Sequence, residues 1–147
     1  VRTQRVAAML LLALALLAGC GEATTRAASS GEGGAPSATL PALRTKLAAI
    51  AGDECATQPG EQVYTGCARF VREVQNVVPA ARKESGAVPS AEVLTRAADD
   101  VDGAVNRLTQ DGCVASGGAP VGAAAVCGPD LASLQEGFRA LVAAVGK

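Results

Sequence analysis

Apolar residues are distributed along this chain in three ways, and each predicts a different kind of structure. Val6 to Leu17 is apolar without interruption and follows Arg2 and Arg5 directly. Gly21 to Ser37 shows no apolar periodicity at all. From Leu40 onward, apolar residues recur at steps of three and four, which gathers them on one face of an α-helix. Leu40, Leu43, Leu47 and Ile50 define a first helix, stopped by Gly52. Val63, Cys67, Phe70, Val71, Val74, Val78 and Ala81 define a second, ended by Gly86 and Pro89. Pro79 lies within it and removes the bond to the Gln75 carbonyl, so a kink is expected there. A third helix starts at Ser90 as N-cap and runs through Leu94, Ala97, Ala98, Val101, Val105 and Leu108 to Gly112. The fourth is predicted to begin at Pro129-Asp130 and to bury Leu131, Leu134, Phe138, Leu141, Val142 and Val145.

The connections decide how these helices assemble. Few residues join the second and third, which forces them antiparallel. The connections Gly52 to Gln62 and Gly112 to Gly128 are longer. An up-down order puts both at one end. The predicted fold class is therefore all-α, a small up-down four-helix bundle over residues 38–147. Residues 20–37 are too poor in apolar groups to offset the ordering cost of about 1–2 kcal/mol per residue, so they are expected to form a flexible stalk.

The first twenty residues have the layout of a secretory signal: a charged head, about a dozen apolar residues and small residues at the cut. Such a run is too short for an ordinary transmembrane helix, which needs roughly 20 residues. Leu17-Ala18-Gly19-Cys20 resembles the lipobox of bacterial lipoproteins. The resemblance covers residues 1–20 alone. It implies that residues 1–19 are a lipoprotein signal peptide, removed after a diacylglyceryl group is added to the Cys20 thiol. It also implies a protein held by lipid at the extracytoplasmic face of the cell membrane.

Composition narrows what the remainder can do. The chain has 147 residues with 13 Lys and Arg against 14 Asp and Glu; losing Arg2 and Arg5 leaves a mildly acidic product. Nucleic acid is not an expected partner, because its binding rests on many phosphate-neutralising cations. Aromatic residues are only Tyr64, Phe70 and Phe138, so a core of Ala, Val and Leu at this size calls for covalent support. Cys55, Cys67, Cys113 and Cys127 supply it, since export favours disulfides and the count is even. Three connectivities are possible. Local pairing, Cys55–Cys67 with Cys113–Cys127, is expected, because each pair closes a local loop between adjacent helices. A Cys₄ zinc site is disfavoured by spacings far wider than the two to four residues usual for such ligands, and no C-x-x-C motif suits thiol redox chemistry.

Candidate chemistry is sparse. Asp99, Asp100 and Asp102 form the sharpest charged cluster, but they miss the calcium-loop pattern and read as a solvated face balanced by Arg96 and Arg107. Histidine is absent, which removes Ser-His-Asp, Cys-His and His-metal arrangements. Gly117 to Gly122 lacks the lysine of a phosphate loop. Gly103 and Gly137 point to close helix crossings, and Tyr64 to packing. An acid/base role for Glu73 or Asp99 needs strong burial. No enzyme activity, cofactor or metal is expected. The reading is a non-enzymatic lipoprotein that binds an envelope protein or peptide through the segments Asp53 to Gly66 and Cys113 to Cys127. The alternative is a carrier with an apolar cavity between helices opened by Pro79, Gly103 and Gly137.

Overall fold

The computed structural model describes residues 39–115 and 119–146. The expected signal peptide 1–19, the lipidation site Cys20 and the expected stalk 20–37 lie outside them. Six α-helices follow in order: α1 Leu40–Ala51, α2 Glu54–Thr57, α3 Gly60–Val63, α4 Ala68–Lys83, α5 Ala91–Gln110 and α6 Ala124–Gly146. Short 3₁₀ turns, Tyr64–Gly66 and Glu84–Ala87, precede and follow α4. No strand occurs among the described residues. No helix among them is long and apolar enough to cross a membrane.

The four long helices form the up-down bundle. Helix α1 packs on α4 and α6, α4 on α5, and α5 most extensively on α6. Their shared interior is the periodic apolar face: Leu43 and Leu47 from α1, Phe70 and Val74 from α4, Leu94 and Val101 from α5, and Leu134 and Phe138 from α6 are all at most 2 % exposed. Gly137 lets α5 and α6 close up, since a Cβ there would lie 3.2 Å from the Val101 nitrogen. The groove beside it is not an interior cavity but a surface cleft.

Three stretches depart from the pattern read along the chain. The second helix starts at Ala68 instead of Val63, because the Cys55–Cys67 link and the weak helix formers Thr65 and Gly66 break the segment into α3 and a 3₁₀ turn. The connection from Gly52 to Gln62 is itself helical, and Asp53 caps α2 by accepting from the Cys55 amide at 2.9 Å. Pro79 lies inside α4 as expected, and it is exposed, as is Gln75 whose carbonyl loses its donor. Helix α6 begins at Ala124, five residues before the expected start, and carries Pro129 inside it. Its first turn closes before the proline, with the Val126 and Cys127 amides both donating to the Ala123 carbonyl at 2.9 Å. Ser90 stands at the start of α5, but its hydroxyl makes no capping bond.

At the end of the bundle where α1 begins, the Arg44 Nε donates to the Val145 carbonyl at 2.8 Å and so satisfies an end carbonyl of α6. The opposite end is closed by disulfides.

Candidate functional site

Both disulfides join neighbours: Cys55 to Cys67 with S–S 2.06 Å, and Cys113 to Cys127 with S–S 2.07 Å. The cysteines are therefore committed to bridges and not to a four-thiolate site. The second bridge depends on how α5 stops. The Cys113 amide donates to the Leu108 carbonyl at 2.8 Å and the Gly112 amide to Thr109 at 3.3 Å, the paired bonds of a Schellman ending. That ending needs a left-handed residue, and Gly112 has φ +69°.

The structure brings the two cross-linked segments together. The Tyr64 hydroxyl donates to the Gly122 carbonyl at 3.2 Å. Gly60 and Gly128 touch backbone to backbone, since a Cβ on Gly60 would overlap the Gly128 carbonyl. Gly122 is wedged between the Cys127 sulfur and the Asp111 carbonyl. Beneath them, Gln135 is buried and its amide donates to the Cys55 and Gln58 carbonyls, both at 2.8 Å. One side chain of α6 thereby holds α2 in place. Residues 53–67, 107–115 and 119–130 thus form a single braced end.

Charge on that end is one-sided. Across those stretches Asp53, Glu54, Glu61, Asp111 and Asp130 face a single cation, Arg107. Asp53 takes its partner from α4, Arg69 Nη2 at 2.8 Å. Arg107 Nε donates to Asp130 Oδ1 at 3.3 Å, while Asp130 Oδ2 is buried and receives no hydrogen bond from any described residue. Burial, and then the adjoining Asp111 carboxyl, push the Asp130 pKa up against the opposing pull of Arg107. A folded-state pKa above the unfolded one means that the native chain binds this proton more tightly. Stability from this group is present at low pH and is lost as pH rises through the raised value. Asp130→Asn supplies a permanent donor toward Asp111. It is expected to flatten that pH dependence and to stabilise the protein at pH 7 by about 1 kcal/mol, read from urea midpoints between pH 4 and 8. A variant that keeps the parental slope would refute this account of the pair.

The carboxylate cluster of the third predicted helix lies away from this end. Asp99 and Asp102 are joined by Arg82 of α4, whose Nη2 lies 2.8 Å from one and 2.9 Å from the other. Arg82 replaces the expected partners Arg96 and Arg107; Arg107 serves Asp130. Asp100 lines an open cleft of about 420 Å³ with Gly103, Arg107 and Glu136. Glu73 is half-buried, 4.0 Å from Arg69. No group of three potential ligands among the described residues could hold a metal ion. Gln135 and the Gly60–Gly128 contact were not singled out in the sequence; a glutamine between Leu134 and Phe138 was the visible signal. Comparison with protein-family models, curated proteins and solved structures finds no match to this chain.

Proposed function

We propose that the chain is a non-enzymatic, lipid-anchored protein of the bacterial cell envelope that presents its braced end to a protein or peptide partner. The observation that carries this reading is the placement of the two ends. Leu40 opens α1 beside the end of α6, where Arg44 meets Val145, and the two bridged segments close the opposite end. A tether at Cys20 therefore joins the bundle through the end where α1 begins, and the braced end carries no attachment. Residues 20–39 reach at most about 70 Å when fully extended. Two acyl chains suit this role, because a single chain gives only marginal membrane binding.

Labelled palmitate tests the anchor. Label is expected in the protein recovered from the membrane fraction, and Cys20→Ser is expected to abolish it and to shift the protein into the medium. A parental chain that takes up no label and is recovered from the medium overturns the proposal.

A further inference from the structure

We infer that the segment Ala119 to Pro129 is a docking face for an apolar recess on a partner protein whose rim carries Lys or Arg. This rests on the proposed role of the braced end and names the chemistry of what it meets. Among the described residues, the large apolar side chains left exposed are Val93, Val121 and Val126. Two of these three lie in this one segment, Val121 at 89 % and Val126 at 45 % exposure. Ala119, Ala123, Ala124, Ala125 and Pro129 are exposed around them, and no residue from Ala119 to Pro129 is charged or carries a polar side chain.

The segment is also held in place before any partner arrives. The Gly112 carbonyl accepts from the Val121 amide at 3.0 Å and the Gly122 amide at 3.1 Å, Tyr64 donates to the Gly122 carbonyl, and Cys127 is bridged. A fixed surface gives up little conformational freedom on binding, so a small apolar patch retains more of its contact energy. An ordinary mobile loop would not.

The rim selects the occupant. Asp111, whose carbonyl borders Gly122, and Glu61, whose side chain lies against Gly128, are both exposed, and both are acidic. A second copy docking face to face would set like charges against each other. An anionic lipid surface would be repelled in the same way, and the segment lies at the end opposite to the start of α1. A cationic rim on a partner protein complements it.

The test places a photo-crosslinking amino acid at Val126 and, as control, at exposed Ala87 on the opposite end, in the full chain expressed in its own host. Adducts are identified by sequencing the joined peptides. The expected result is one protein species joined from position 126 and not from 87, through a peptide in which apolar residues adjoin Lys or Arg. Glu61→Lys with Asp111→Lys, shown to be folded by circular dichroism, is expected to cut adduct yield roughly tenfold. High salt is expected to lower the parental yield likewise. Self-adducts, lipid adducts, no adduct, equal labelling from position 87, or a yield indifferent to both charge reversal and salt would overturn the inference. Palmitate uptake is scored on the same cells, so failure of the anchor and failure of docking are read separately.

Discussion

Phe138→Ala is expected to remove about 3–5 kcal/mol of folding stability and to lower the melting temperature by on the order of 20 °C. Phe138 is 1 % exposed, and its ring meets Phe70 edge-on at a centroid distance of 5.8 Å and an angle of 88°. These are the chain's two phenylalanines, set in a core otherwise built from Ala, Val, Leu and Ile50 with the bridged cysteines at one end. The cavity is hard to close by relaxation. Helix α6 is pinned on one side by Gly137 against the Val101 backbone and on another by Gln135 bonded to α2. Phe138→Leu keeps most of the volume and is expected to cost far less. Urea denaturation of both variants checks this. An alanine variant that loses under about 1 kcal/mol would show that the helices close over the gap.

Loss of the bridges is the second large effect. Cys113→Ala with Cys127→Ala, and separately Cys55→Ala with Cys67→Ala, are each expected to cost about 3 kcal/mol, because the closed loops are similar in length. A domain of this size has about 5–15 kcal/mol in total, so the variant lacking all four thiols is expected to sit near or below the folding threshold at 37 °C. Cys67, Cys113 and Cys127 are at most 1 % exposed. Reductant alone should therefore act slowly on the native protein and much faster once urea opens it. Thiol counting over time reads this directly. Rapid, urea-independent reduction of both bridges would contradict the packing described.

How much of this was legible depended on whether the deciding interaction was local. The four long helices could be read because burying one face at steps of three and four leaves a mark at every turn. The disulfide pairing followed from locality too, as each bridge spans only the connection between adjacent helices. The start of α6 did not follow. Proline is at home in a first turn, so Pro129 read as a beginning, whereas Ala123 had already nucleated the helix ahead of it. The partner of Asp99 and Asp102 was hidden for a related reason. Spacing along one helix offered Arg96 and Arg107, but Arg82 comes from α4 across the bundle. The Gly60–Gly128 approach left no periodic trace at all, since it depends on where two separate segments meet.

The hydrogen bond from Tyr64 to Gly122 has a practical consequence. The chain contains one tyrosine and no tryptophan, and that tyrosine carries the bond joining the two bridged segments. Ultraviolet-excited emission from the unmodified protein therefore comes from a single phenol at the seam between them. Its intensity and its quenching by added acrylamide serve as a built-in optical gauge of whether the seam is shut, without any attached dye.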